Sequence, residues 1–262
     1  MRKTMEYAAM SGEPNFSVLC QTFFRCYFVG AAYNSKGLQN IGLAYIMEPG
    51  LNSIYSDPAK RHRAWRRYTS FYNTHPFWTP LLVGVFLFME IRIARGVIPE
   101  TTLQAIKDTL VYTLSGVGDA FFGSALIGVW SIGATILAIH GNLGWFIALT
   151  IFLLVAAQVF KAVTFWLGYR EGYKVLNRLK RWNFIDWSRR LKIFNAVLLA
   201  ALWYLLARPF SCAGNWAISI LLIVGSAVAM KRFPIPRELF VAALVIAFLV
   251  AGNDVSVCLF GD

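Results

Sequence analysis

The sequence predicts an all-α polytopic integral membrane protein. It has a core of re-entrant and broken helices, amphipathic cytoplasmic helices at the N-terminus and a C-terminal transmembrane bundle. Three observations lead there. Of the 262 residues, 58% are hydrophobic and 15% charged, against about 45–50% and about 25% in soluble domains. The apolar residues fall in blocks, a surplus beyond what a soluble core holds. The net charge of +12 gathers between those blocks, as it does where a polytopic chain meets an anionic inner leaflet. That distribution argues for the lipid bilayer as a partner and against nucleic acid.

The N-terminal stretch MRKTMEYAAMSGEPNF contains no apolar h-region, so no cleaved signal peptide is expected. Cys20, Cys26, Cys212 and Cys258 lack Cys-x-x-Cys spacing and read as small buried hydrophobes. Residues 16–33 are apolar but broken by Gln21 and Arg25, a poor spanning segment that lies in the interface or re-enters. Asp57-Pro58 supplies an N-cap and an N1 proline. In the helix that follows, Trp65, Tyr68 and Phe71/Tyr72 recur at helical spacing among Lys60, Arg61, Arg63, Arg66 and Arg67. This is the pattern of a helix on an anionic membrane surface. Residues 1–77 are therefore expected to form an amphipathic cytoplasmic or interfacial region.

Residues 78–192 read as a membrane core. It is entered through the stretch SFYNTHPFWTP, Ser70 to Pro80. Pro76 disfavours helical backbone at His75, and Thr79-Pro80 offers a second N-cap and N1 pair, so residues 73–78 are expected to be irregular. The run from Pro80 to Met89 is too short to cross a bilayer, which takes about 20 residues. It reads as one arm of a re-entrant hairpin turning at residues 96–99. An amphipathic helix begins near Glu100. It leads into an apolar stretch, 109–139, whose single charge is Asp119 in Gly116-Val117-Gly118-Asp119. Residues 143–168 are a spanning helix and 169–192 are strongly basic. Three apolar runs, at about 193–207, 215–230 and 238–252, make residues 193–262 the C-terminal bundle. With 169–192 and 231–237 inside, the positive-inside rule puts the C-terminus outside.

Two polar interruptions carry the chemistry. Freed backbone and polar side chains at broken helices replace the water of a hydroxylated ligand, and a carboxylate within a span is a functional candidate. Asp119, Asn73 and His75 qualify on those grounds. Their plainer roles are an ion pair or cap for Asp119, a loop brace for Asn73, and capping or packing for His75. His62, His75 and His140 share no ligand spacing, so no metal is expected. No nucleophile–base motif points to a catalytic residue. An enzyme acting on lipid would need Asp119 and His75 within hydrogen-bond reach.

The order Tyr33-Asn34, Gln39-Asn40-Ile41-Gly42, then Phe71-Tyr72-Asn73-Thr74-His75-Pro76, Gly116-Val117-Gly118-Asp119, and Gly168-Tyr169 with Gly172-Tyr173 resembles a known family. That family is the IID membrane component of the mannose/fructose/sorbose phosphotransferase system, and the resemblance covers roughly residues 15–180. It implies a subunit that pairs with a IIC subunit to translocate a hexose, with IIA and IIB relaying the phosphoryl group on the cytoplasmic side. It also implies a trimer of IIC–IID pairs in the bacterial inner membrane, no cofactor, and no phosphoryl-transfer residue in this subunit. Gln39, Asn40, Asn73, His75 and Asp119 become candidate sugar-binding residues, with Glu90 beside them. Lys36-Gly37 stands where the family has Glu-Arg, and Ile91-Arg92 where its glutamates continue. These departures keep a second reading open: a IID-like membrane protein with a regulatory or sensing role and no transport.

Overall fold

A computed structural model describes residues 12–207 together with Gly225 and Arg232. The chain divides into two compact units, Met1–Leu202 and Trp203–Asp262; the first holds most of the described residues. Its regular structure is helical, with isolated bridges Asn34–Leu38 and Leu38–Tyr72 besides. The apolar runs at 215–230 and 238–252, and the C-terminus, lie outside the described residues, as do Cys212 and Cys258.

Helix α1, Phe16–Arg25, starts where Asn15 accepts a hydrogen bond from the Val18 N–H, and tightens into a 3₁₀ turn at Cys26–Phe28. Ten residues are too few to span a bilayer. Arg25 is held by Glu48 and the Tyr45 carbonyl of the next helix, α2, Asn40–Ile54. In α3, Pro58–Arg66, Asp57 caps the Ala59 N–H as the sequence suggests. The helix stops at Arg66, however, and the aromatic stripe expected to face lipid divides. Trp65 and Phe71 are exposed, whereas Tyr68 and Tyr72 are fully buried. Ala64 is the buried residue of α3, so this helix has a basic exterior without a continuous apolar face.

Helix α4, Thr79–Ala94, follows the irregular segment 73–78. Trp78, one residue before the expected position, is its N-cap. The Thr79 hydroxyl caps nothing and is buried without a well-formed hydrogen bond. A turn through Gly96, at φ +69°, leads to α5, Glu100–Gly118. Without a break the helix widens into a π-helical segment, Asp119–Leu126, and continues as α6, Ile127–Ile139. Helix α7, Leu143–Glu171, returns through 29 residues. A 3₁₀ turn at Gly172–Lys174 and the short α8, Val175–Trp182, lead to α9, Phe184–Ala207. The boundary expected at 192/193 thus falls inside a continuous helix.

Helix α4 is the centre of the unit. From Thr79 to Ile91 every residue but Phe88 is buried, enclosed by α2, α5 and α7. Its apolar sequence is met by protein on all sides, which accounts for an apolar run too short to span. The described residues on the two sides of the 77/78 boundary consequently share one core. The closest approach is to α7, where glycines remove the side chains that would separate the backbones. A Cβ on Gly84 would fall 2.3 Å from the Phe165 carbonyl oxygen, and one on Gly168 would fall 2.4 Å from that of Leu81. Neither backbone can yield to a methyl group. Gly168→Ala is expected to cost about 1–3 kcal/mol and to lower the midpoint of thermal unfolding in detergent. An unchanged midpoint would mean that the helices are not in backbone contact.

A charge cluster fixes the other end of α4. Glu90 has no solvent exposure. Its carboxylate accepts from Arg67 Nε at 3.1 Å and Nη2 at 2.6 Å, from the Tyr55 hydroxyl at 2.7 Å and from the Tyr68 hydroxyl at 2.6 Å. Arg67 Nη1 reaches Glu100 at 2.9 Å. Lys107 adds bonds to the Arg67 carbonyl and the Ser70 hydroxyl. Burial pushes the phenols of Tyr55 and Tyr68 up, and the Glu90 charge adds to it. For Arg67 burial acts downward, yet the bonds to Glu90 outweigh it and hold the guanidinium above its usual value. Removing one partner of such a pair leaves a buried charge uncompensated. Glu90→Ala should therefore destabilise by about 3–5 kcal/mol, read by the same thermal unfolding. A loss below about 1 kcal/mol would show the cluster to be wet.

Candidate functional site

Two hairpins bring their tips together at the start of α4. The first is α1–α2, with its tip near residues 29–39. The second descends from Arg67 through Tyr72 and turns into α4 at residues 73–78. Leu38, in the left-handed region at φ +57°, bridges to both Asn34 and Tyr72. Gln39 N–H donates to the Tyr72 carbonyl at 2.9 Å and Tyr72 N–H to the Gly37 carbonyl at 3.2 Å.

Side chains from the Gln39-Asn40 motif complete the joint. Gln39 Oε1 accepts from the Thr74 N–H at 3.1 Å, and Asn40 Nδ2 donates to the Thr69 carbonyl at 2.6 Å. Asn40 Oδ1 accepts from Asn34 Nδ2 and the Ile41 N–H. A side chain on residue 37 would collide with the Asn40 amide, so Gly37 suits the packing of this tip. Gln39 and Asn40 therefore brace the segment that carries Asn73 and His75, with Gln39 Oε1 and both polar atoms of the Asn40 amide engaged by protein.

His75 is seated by glycines. A Cβ on Gly118 would lie 2.3 Å from His75 Cβ and 2.9 Å from Trp78 Cδ1, while Gly123 lies beside Nε2. The second glycine of the Gly-x-Gly-Asp motif thus admits the 73–78 loop against the helix. The imidazole stacks on Phe122, centroids 5.6 Å apart, and lies tilted against Phe77. Trp78 meets Phe122, Phe160 and Phe184 edge-on, which joins α4, the π segment, α7 and α9. Backbone acceptors of the π segment are met from outside: Ser188 Oγ donates to the Ala120 carbonyl and Asn195 Nδ2 to that of Ala125, both at 2.8 Å.

Asp119, the first residue of the π segment, is exposed and makes no ion pair or hydrogen bond through its carboxylate with any described residue. Asn73 is half-buried and likewise without a hydrogen bond. Sequence reasoning passed over a third group, Lys161, in the apolar stretch of α7. Its ammonium lies 4.6 Å from the Tyr27 ring centroid and 4.7 Å from that of Phe77, touching both hairpins. The Tyr27 hydroxyl donates to Gln158 one turn away. A lone lysine inside FLLVAAQVFKAVTFW was the available signal.

Asn73, His75 and Asp119 thus belong to one neighbourhood, braced by Gln39 and Asn40. Glu90 does not. It lies eleven residues into α4, about 16 Å along the axis, and its carboxylate is fully engaged by Arg67, Tyr55 and Tyr68. Burial pulls the His75 imidazole below the usual histidine range, with Asp119 opposing and Lys161 reinforcing that shift. Since Asp119 favours the charged ring, Asp119→Asn should lower the His75 pKa further, as measured by NMR of a ¹⁵N-histidine sample. A pKa that stays put or rises would separate the two residues electrically.

A family model for the PTS system mannose/fructose/sorbose family IID component matches residues 17–208. The chain is 31% identical over 160 residues to the fructose permease IID component of Bacillus subtilis, covering 60% of this chain and 58% of that one. It is 30% identical over 158 residues to the mannose-specific EIID component of Escherichia coli K12, covering 59% and 55%. It therefore spans little more than half the length of these relatives. Among solved structures it resembles a membrane protein with TM-score 0.74 at 18% identity, covering 92% of this chain and 97% of the other. It also resembles a chain of the mannose transporter ManYZ in complex with microcin E492, with TM-score 0.57 at 19% identity, covering 93% and 97%. At these identities the structural likeness speaks for the fold. The linked motifs that build the hairpin joint and the His75 seat, with a family match over most of the chain, make this chain a member of the IID component family of the mannose/fructose/sorbose phosphotransferase system.

Proposed function

We propose that this chain is the IID membrane subunit of a sugar-transporting phosphotransferase complex. It pairs with a IIC subunit to pass a hexose to the cytoplasmic side, where IIB, recharged by IIA, phosphorylates it. One observation carries the reading: the unmet polar groups concentrate at the hairpin tips. Six buried side-chain polar atoms lack a hydrogen-bond partner among the described residues, and four belong to Tyr72, Thr74, Trp78 and Thr79. Each such group costs about 1–3 kcal/mol. A fold that tolerates several in one place keeps them for water, a sugar or a partner chain. Asn73, Asp119 and Lys161 border the same spot.

The geometry supports a particular relation to the bilayer. Lys161 lies eighteen residues from Leu143 and Asp119 twenty from Ile139, about 27 and about 30 Å of helix. One hydrocarbon layer is about 30 Å thick. The large apolar residues of this stretch of α7, among them Trp145, Phe152 and Val159, are exposed. We take the bilayer to lie between the 140–142 turn and the level of Asp119, His75 and Lys161, with the basic segment 170–190 on the cytoplasmic side. On this reading the hairpin tips reach the inner interface, and the bulk of α1–α5 stands behind it. The exposed Asp119, with the aromatic exterior of α1 and its 3₁₀ turn at Phe24 and Phe28, would be covered by IIC, completing the sugar path. Gln39 and Asn40 act by positioning Asn73 and His75, and Glu90 acts on stability alone. The names of the relatives support a hexose as substrate.

The test is uptake of labelled hexose in cells lacking their own mannose-type permease, with this chain, its IIC and the soluble partners expressed together. Label should appear as sugar phosphate. Asp119→Asn should still co-purify with IIC and should lower the rate by about tenfold or more, the worth of one charged hydrogen bond. No uptake despite an intact complex would sink the transporter role and favour a regulatory one.

A further inference from the structure

We propose that the groove between α5 and α9 holds one anionic phospholipid of the inner leaflet, its phosphate on Arg189 and Lys192 and an acyl chain along Ile193 and Ala196. The proposal rests on the bilayer level taken above. The groove has a volume of about 740 Å³ and exists because α5 and the π segment present Gly116 and Ala120 to it. The bond from Ser188 to the Ala120 carbonyl pins the two walls, so the space does not depend on a flexible loop.

Its charge pattern selects the occupant. No acidic residue lines it. Arg189 and Lys192 are exposed and make no ion pair with any described residue. Of the neighbouring carboxylates, Asp186 accepts from the Asn183 amide, and Asp119 lies outside the lining. Arg189 and Lys192 stand at i and i+3, on one face of α9, where a guanidinium and an ammonium can clamp one phosphate. Immediately beyond them, towards the membrane interior, the lining becomes Ile193 and Ala196. Polar at the interface and apolar inward is the order of a phospholipid in that leaflet, and anionic headgroups are enriched there. Trp187, half exposed, with Arg190 over its ring, adds an interfacial aromatic at the same level.

The test uses the full-length chain, delipidated in detergent and mixed with phosphatidylglycerol or phosphatidylcholine, with retained lipid counted by native mass spectrometry. Wild type should retain one phosphatidylglycerol and no phosphatidylcholine. The Arg189→Gln/Lys192→Gln double variant should retain it about tenfold less well. An Arg61→Gln/Arg63→Gln variant, with the same charge lost on α3, should match wild type. Gly116→Phe offers a second route, because a Cβ there meets nothing within 4 Å and the ring fills the groove without touching either charge. It too should lose the lipid. Equal retention of both lipids, or undiminished retention in the double variant, overturns the proposal. So does a double variant that keeps the lipid but no longer co-purifies with IIC, which would make the groove a partner surface. Lipid retention is read without sugar or partners, so its failure leaves the transport reading standing, and loss of transport leaves the lipid site standing.

Discussion

The buried pairing of Arg67 with Glu90 governs much of the arrangement of this chain. A carboxylate with no solvent exposure is tolerable only where donors replace its water, and Glu90 draws three from two segments: Tyr55 after α2, and Arg67 and Tyr68 after α3. Arg67 then reaches Glu100 at the start of α5. Meeting that one demand anchors the end of α4 to α2, α3 and α5 together. It also fixes where the chain must travel next. From Arg67 the backbone has to run the length of α4 in the opposite direction before it can enter that helix, and the segment that does so is the one that ends in Asn73, His75 and Trp78.

That route explains why polar groups of two kinds occur in so apolar a chain. Around Glu90 charges and hydroxyls are matched to one another and are closed to a ligand. Around His75 they are not matched. Tyr72 and Thr79 lie close together, yet their hydroxyls lack hydrogen-bond geometry, while Asn73 and Asp119 face outward and Lys161 rests on two aromatic rings. A fold selected for stability alone would have filled these positions with apolar groups of similar shape, at little or no loss. Stability is supplied at one end of α4, and chemistry is left open at the other.

Much of this was legible in the sequence and some of it was misread for identifiable reasons. Asp57-Pro58, the break at His75-Pro76, the Gly96 turn and the long α7 follow from local rules of capping, proline sterics and apolar length. The linked motifs gave the family. Apolarity alone does not distinguish lipid from protein as the covering medium, so the run in α4 looked like a membrane arm although the protein encloses it. Glu90 looked like a candidate ligand group because its partners lie 22 to 35 residues away, and Arg67 was one basic residue among five. Tyr68 read as part of a lipid-facing stripe because helical spacing was extended past Arg66, where the helix ends. Gln39 and Asn40 read as candidate sugar-path residues because amides suit hydroxyl groups, whereas in the structure they bond to the backbone at Thr74 and Thr69.

The glycines of Gly116-Val117-Gly118-Asp119 tie these strands together. Gly118 is needed because His75 and Trp78 press against it, whereas Gly116 faces an open groove where a side chain would meet nothing. Two glycines one residue apart thus serve opposite faces of one helix: one admits the polar tip, the other leaves room on the side of α9. Immediately beyond them the helix widens into its π form at Asp119, where the carboxylate is exposed and the Ala120 and Ala125 carbonyls accept from Ser188 and Asn195. The motif therefore sets the tip, the exposed charge and the seat of α9 at a single level of the molecule. A side chain at Gly118 would disturb the seats of His75 and Trp78 at once, whereas one at Gly116 would change only the groove beside α9.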